Sequence, residues 1–348
     1  MEEKQSNLAT FKPDSRDWHI YNLAKTQEKR VFYELLKELS EVIVEPQQEI
    51  GRPRAQVKDL FFSLGLKLYS NYSGRKVISD LKHAQGAGYI GHSAHYNTLT
   101  DFLSCPATYD LLQRMLTISA MPLKQLETRY SIDSSGFGSY QYERWKRYRF
   151  SPQFGGESRN YLKGHISIGT ITHIITACEV TYGNLSDINQ MPYLLKVTAQ
   201  NFRMKEVCAD KAYSSARMHQ LIESLQATPY IIFKKNSNPA EDSPSIWQKM
   251  YTMFKEEPAK YLAKYHQRSN VETVFSMVKM RLGEFLKCKT YDAQRSELMT
   301  KFIVHNICCL VQAIFQYGVT VDFKACEKAY NPQEEHEKRQ GLRADTEE

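Results

Sequence analysis

Late in the chain, Tyr265, Arg268, Glu272 and Lys279 stand in the order Y-x2-R-x3-E-x6-K. On an α-helix, at about 100° per residue, the last three fall about −60°, −20° and −40° from Tyr265. One stripe roughly 60° wide would then carry a tyrosine, a carboxylate and two cations. Val271, Val274, Phe275, Val278 and Leu282 form the adjoining apolar face. Such a helix presses one side into a core and presents the other to a cleft. An ordinary amphipathic helix with solvated charges would carry a lone Glu or Lys just as well, so the weight rests on the joint spacing.

Two further carboxylates stand where strands are expected to end, Asp133 in YSIDSSGF and Asp210 in VCADKAYSS. A single Asp in such a place is commonly a turn former or a helix cap. Three carboxylates from three different elements are another matter, because crowded together they repel one another. Hard divalent ions such as Mg²⁺ take oxygen ligands and resolve that repulsion. Two such ions can activate an attacking hydroxyl and stabilise the leaving 3′ oxygen of a phosphodiester.

The Y-x2-R-x3-E-x6-K spacing resembles the signature of the insertion-sequence DDE transposases, in which the Glu is the third catalytic carboxylate. The likeness continues through IDSSGF, the following hairpin, VCADKAYSS, TPYIIFKKNS, YHQRSNVETVFSMVK and HNICCL, and so covers roughly residues 122–315. It implies an α/β fold, with an RNase H-like mixed-sheet catalytic domain behind an N-terminal all-helical domain. It also implies Asp133, Asp210 and Glu272 as catalytic residues and as ligands of two Mg²⁺ or Mn²⁺ ions. The activity implied is metal-dependent cleavage and strand transfer at the terminal inverted repeats of an insertion sequence, by cut-and-paste transposition. Double-stranded DNA, as transposon ends and target, is the expected partner, with a homodimer in the DNA complex and no membrane. The stretch between Asp210 and Glu272 leaves little room for a large inserted β domain. Two other readings stay open: a host-retained DNA-binding protein that no longer catalyses, and an RNase H-like metal-dependent nuclease that cuts without joining.

Around the triad, the residues suited to DNA are cations mixed with aromatics. Between Asp133 and the hairpin, Arg144, Lys146, Arg147, Arg149, Arg159 and Lys163 interleave with Trp145 and several tyrosines. Cations meet phosphates and aromatic rings stack on exposed bases. Tyr265, Arg268 and Lys279 are expected to serve the DNA backbone, with pairing to the acidic triad as the alternative for the cations. Trp247, in SPSIWQKMYTMF, is a candidate for stacking on a displaced base; its helical spacing with Ile246, Met250, Tyr251 and Phe254 equally suits a core anchor. His92 and His95 near Cys105 lack a fourth metal ligand, and His305 reads as a core histidine.

The elements that must position these groups divide the chain. Residues 1–27 read as a flexible N-terminus, and 28–121 as a helical, DNA-end-binding domain that opens with a helix from Arg30 and contains a basic turn at Gly51-Arg52-Pro53-Arg54. The stretch 122–326 reads as the catalytic domain with a short insertion at 237–260, and 327–348 as a disordered tail. Alternation on either side of Thr172-His173 predicts a β-hairpin over 165–183. RSELMTKFIVHNICCLVQAIF reads as a core helix. The formal net charge of +7 suits an anionic partner. No apolar run is expected to span a bilayer, and the N-terminus lacks a signal-peptide core. The 7 cysteines, with no CxxC pair, suit reduced core thiols and a cytoplasmic, nucleoid-associated protein of a bacterium or archaeon.

Overall fold

A computed structural model of the chain describes residues 17–47, 51, 54–139, 161–237, 239–240 and 242–330. Helix α1 (Trp18–Ser40) begins well before Arg30, because the Asp17 carboxylate caps it by accepting from the backbone N–H of His19 and Ile20. Trp18–Gln27 is therefore helical rather than a loose leader. Val31, Phe32, Leu35, Leu36 and Leu39 supply its buried stripe. Helix α2 (Val57–Tyr69) is capped from a distance, with Val57 and Lys58 N–H groups donating to Glu45. Helices α3 (Val77–Gly86), α4 (Tyr96–Ser104) and α5 (Pro106–Ala120) complete the helical region. The buried Asp59 of α2 holds the glycine-rich break between α3 and α4 by accepting from the N–H groups of Gly91 and His92.

After α5 the apolar pattern changes period and a mixed sheet forms. Its strands are β1 (Arg129–Ser139), β2 (Tyr161–Gly169), β3 (Ile175–Tyr182), β4 (Glu206–Ala209), β5 (Thr228–Ile231) and the two-residue β6 (Phe285–Leu286). The order is β3-β2-β1-β4-β5, with β6 beside the far end of β1. β2 runs antiparallel to both β1 and β3, whereas β4, β5 and β6 join in parallel. The β2–β3 turn forms at the predicted Thr172-His173, where His173 takes φ +62. Buried Glu127 clamps that turn, accepting from Ile171 N–H, Thr172 N–H and the Thr172 hydroxyl.

Between the later strands lie α6 (Met191–Asn201), α7 (Ala216–Ser224), α8 (Ser245–Glu256), α9 (Pro258–Tyr265) and α10 (Ser269–Leu282). Helix α10 stops at Gly283, whose φ of +84 is costly for other residues. The 27-residue helix α11 (Tyr291–Tyr317) is the axis of the molecule, packing against α1, α2, α4, α5 and the sheet. By length and composition it could cross a membrane, contrary to the expectation that no run reaches that length, but most of it is buried inside the fold. Gly164 of β2 lets α11 come close: a Cβ there would lie 2.9 Å from the Phe302 ring. A short α12 (Phe323–Ala329) closes the described chain, and the expected tail beyond it, like residues 1–16, lies outside the described residues. All 7 cysteines are free; Cys178 and Cys208 are buried as expected, whereas Cys105 is exposed.

Helix α11 also anchors the segment that leaves α10. Its fully buried Glu297 accepts from the N–H groups of Lys287 and Cys288, and Lys301, one turn on, donates to the carbonyls of Gly283 and Phe285. That pair pins β6, and so the end of α10, onto the core.

Burial pushes His165, His219 and His305 down to about 4. Each takes up a proton less readily when folded than when unfolded. Their contribution is therefore intact above about 6.5 and is lost as pH falls towards 4. Denaturant melts at pH 7.5 and 5.0 should differ by roughly 1 kcal/mol or more per histidine. A His219→Phe variant should lose less than the wild type over the same interval; an equal loss in both would reject this account.

Candidate active site

The sheet register sets the first two carboxylates side by side. Ile132 of β1 pairs with Ala209 of β4 as the last step of their parallel ladder, so Asp133 and Asp210 come next on neighbouring strands, about 4.8 Å apart in backbone. β1 does not end at Asp133, as the sequence suggests, but runs on to Ser139 because β2 and then β6 continue to pair with it. The Asp210 side chain accepts from Ala212 N–H and caps the turn Lys211–Tyr213. Glu272 enters from the first turn of α10.

Arg268 joins two of the three. Its Nη1 donates to Asp133 Oδ2 at 2.9 Å and its Nη2 to Glu272 Oε1. The other oxygen of Asp133 accepts from Ser134 N–H at 2.8 Å. Burial raises the Asp133 carboxyl to about 6; the Ser134 N–H and Arg268 pull it down, and the negative charges of Asp210 and Glu272 push it further up. All three acids therefore share one electrostatic neighbourhood. The Asp133 side chain is 21% exposed and that of Glu272 57%, so the site is closed at the sheet and open along the helix.

The four signature residues do not share one helix. Tyr265 ends α9, a 3₁₀ turn covers His266–Arg268, and α10 starts at Ser269. The turn is seated by Ser131, whose hydroxyl donates to the Arg268 carbonyl at 3.3 Å. Arg268 and Lys279 nonetheless both reach β1, and Glu272 is tied to it through Arg268. Tyr265 is half-buried; burial raises its phenol, with Arg268 lowering it and Asp210 and Asp133 raising it. Lys279 donates to Ser135 Oγ at 2.7 Å and lies 5.0 Å from the centroid of the Phe137 ring. Arg268 thus takes the alternative foreseen for it, pairing with the acids, whereas Lys279 pairs with a neutral hydroxyl.

Behind Asp133, on the other face of β1, lies a polar group that the sequence does not announce. Ser134 pairs with His165 of β2. His165 is fully buried, with Nε2 2.8 Å from Thr181 Oγ1 and Nδ1 3.7 Å from Asp187 Oδ1. Lys163 also reaches Asp187, at 2.9 Å, so it is a strand residue in an ion pair rather than part of a DNA-binding loop. The buried Tyr213 hydroxyl is held far above the usual range for a phenol by burial, and then by Asp133 and Asp187. Lys163 and His165 alternate with Leu162, Gly164 and Ile166 in YLKGHISIG, and two polar side chains at one period inside a central strand were the available signal.

Trp247 is 8% exposed and packs in a small aromatic core with ring centroids 4.7 Å from His219 and 4.6 Å from Phe233. With Ile246, Met250 and Tyr261 it fixes α8 and α9 to β5. No face of its ring is left for a base, and the expectation of a DNA contact is withdrawn on that packing. Arg144, Trp145, Lys146, Arg147 and Arg149 lie outside the described residues; the strand residues that flank them, Gly138 and Tyr161, face each other across the β1–β2 ladder. Among the described residues no group of three or more His, Cys, Asp or Glu is arranged to hold a metal ion, His92 and His95 included.

Residues 124–307 match the family model described as the transposase DDE domain. The chain is also similar to a probable transposase for insertion sequence element ISA1214 of Archaeoglobus fulgidus, with 24% identity over 292 residues, 81% of this chain and 85% of that protein. No solved structure matches the chain.

Proposed function

The chain belongs to the DDE transposases of insertion sequences, and from that premise we propose that it cuts and joins DNA at the terminal inverted repeats of its element. The observation that carries this reading is the β1–β4 register, which sets Asp133 beside Asp210, together with the single guanidinium that ties Asp133 to Glu272. The strand order, with three antiparallel strands followed by two parallel ones, is consistent with an RNase H-like catalytic domain.

The chemistry of the three carboxylates suits divalent metal, although as they stand they are not arranged to hold one. Asp133 is a mostly buried carboxyl; burial first, and then the negative charges of Asp210 and Glu272, make its ionised form costly, and a bound cation would offset that cost. Asp133, Asp210 and Glu272 would hold two Mg²⁺ or Mn²⁺ ions, which would activate the attacking hydroxyl and steady the leaving 3′ oxygen. The chain's own residues orient the DNA. Lys279, bonded to Ser135 near the end of α10, would meet a backbone phosphate. Tyr265 lines the Asp210 side of the site. The basic segment 140–160 would bind the transposon end, and the helical region before the sheet would read its sequence. Two copies would act together, one for each end, in the bacterial or archaeal cytoplasm.

Duplexes carrying the element's ends, incubated with the purified chain and Mg²⁺, test the reading. We expect nicks at the element boundary, then joining of the freed 3′ ends to a target plasmid, and no reaction with EDTA. Cleavage without joining would favour the nuclease alternative. Binding without cleavage would favour a DNA-binding protein.

A further inference from the structure

We propose that Arg268 gates the entry of divalent cations: its guanidinium holds the oxygens of Asp133 and Glu272 until a DNA phosphate draws it away. The gate rests on the metal-site reading of the triad and adds a regulation of that site by its substrate.

The geometry is that of a bridge. The two terminal nitrogens of one guanidinium go to two different carboxylates, Nη1 to Asp133 Oδ2 and Nη2 to Glu272 Oε1. The remaining oxygen of Asp133 is committed to Ser134 N–H. A cation that takes these same oxygens must displace the guanidinium or sit beside it, and two positive groups on one pair of carboxylates repel each other. Arg268 always carries its charge, so raising the pH does not release it. What can release it is a competing anion with paired oxygens, and phosphate suits the arginine fork as well as carboxylate does.

The place of Arg268 in the chain allows such a movement. It sits on the 3₁₀ turn between α9 and α10, where its carbonyl is held by Ser131. The backbone therefore stays anchored while the side chain, only 20% exposed at the mouth of the site, can turn outward. Tyr265 is its other close neighbour, and burial, more than any charge, keeps that phenol protonated. Lys279 differs in kind, since its partner is the neutral Ser135; its removal would take one charge from the neighbourhood without freeing either acid. Coupling of this type is reciprocal: if DNA raises metal affinity, metal raises DNA affinity by the same factor. The transposase would then load its cutting ions only once DNA occupies the site.

The test is Mn²⁺ titration calorimetry on the full chain at pH 8, with and without a duplex bearing the element's ends and with duplex-only blanks. For the wild type, the duplex should raise Mn²⁺ affinity about 10-fold. Without duplex, Arg268→Gln and Arg268→Lys should bind Mn²⁺ about 10-fold more tightly than the wild type, and their gain on adding duplex should stay under about 3-fold. Arg268→Lys is the decisive variant, because it keeps the charge and loses the bridging fork. An Arg268→Lys variant that binds like the wild type, or an equal duplex gain in all three proteins, overturns the gate. Asp133→Asn separates the gate from the metal site beneath it. If that variant loses Mn²⁺ binding while Arg268→Lys is unchanged, only the gate falls; if it binds Mn²⁺ as the wild type does, the metal-site reading falls and takes the gate with it.

Discussion

Asp133→Asn is expected to remove strand cleavage, by about 1,000-fold or more, while making the protein more stable at alkaline pH. The first effect follows from its position. Asp133 stands between Asp210, just past the end of β4, and Glu272 across the Arg268 bridge, so its loss breaks the donor set at the middle. Asp210→Asn and Glu272→Gln should fall to the same floor, and pairs of these changes should lose little more, because groups that act as one unit are not additive. The second effect follows from burial, which raises the folded pKa from 3.8 to about 6. Between those values the native chain binds this proton more tightly than the unfolded chain does. The stabilising share of Asp133 is therefore full below 3.8 and is lost as pH rises through 6. At pH 8 in EDTA the Asn variant should gain about 1–2 kcal/mol over the wild type. Cleavage assays and urea melts on the same preparation check both effects. An active variant would remove Asp133 from the catalytic set, and a less stable one would contradict the electrostatic account.

Asn306→Leu should be among the most damaging substitutions outside the acidic site. Asn306 is fully buried on α11 and holds both backbone groups of Ile175 at the start of β3: Ile175 N–H donates to its Oδ1 at 2.9 Å, and its Nδ2 donates to the Ile175 carbonyl at 2.8 Å. The same Nδ2 reaches Ser119 Oγ at 2.9 Å on α5. One amide thus joins the core helix, the hairpin and the helical region. Leucine keeps most of the volume but strands an N–H and a C=O in apolar surroundings. At about 1–3 kcal/mol for each stranded group the cost comes to about 4 kcal/mol, a large part of the roughly 5–15 kcal/mol that holds a domain folded. Gln312→Ala, on the same helix but with its side chain bonded, among the described residues, to Gln316 alone, should cost under about 0.5 kcal/mol. Guanidinium unfolding of both variants decides, and a loss under about 1 kcal/mol for Asn306→Leu would refute the account.

How far these features can be read from the sequence depends on how local their causes are. The hairpin is legible because alternation and a turn reveal themselves within a few residues of Thr172. Asp133, Asp210 and Glu272 can be singled out in the sequence because such residues recur at fixed places in a known pattern. The start of α1 is not, since the polar run before Arg30 hides a cap made by one residue, Asp17. Three further features lie beyond local reading because their causes are distant in sequence. β1 runs past Asp133 because β2 and β6 pair with its second half. The kink at His266–Arg268 is set by a hydroxyl from β1. The cluster of Ser134, Lys163, His165, Asp187 and Tyr213 assembles only when four separate segments meet. Trp247 shows the opposite limit, since its spacing suited both an anchor and a base contact, and only its neighbours in space decide between them.

Helix α11 carries one more consequence, and it concerns time. The ribosome releases α1, α2 and α5 long before Tyr291–Tyr317 exists, yet that late helix is the surface they pack against. Until it emerges, Phe32, Leu36, Phe61 and Leu116, all fully or nearly fully buried in the finished molecule, have no lasting cover. The nascent chain must remain sticky through most of its synthesis, and a message cut short before codon 291 would yield a protein with nothing to fold around, fit for chaperones or aggregation rather than partial activity.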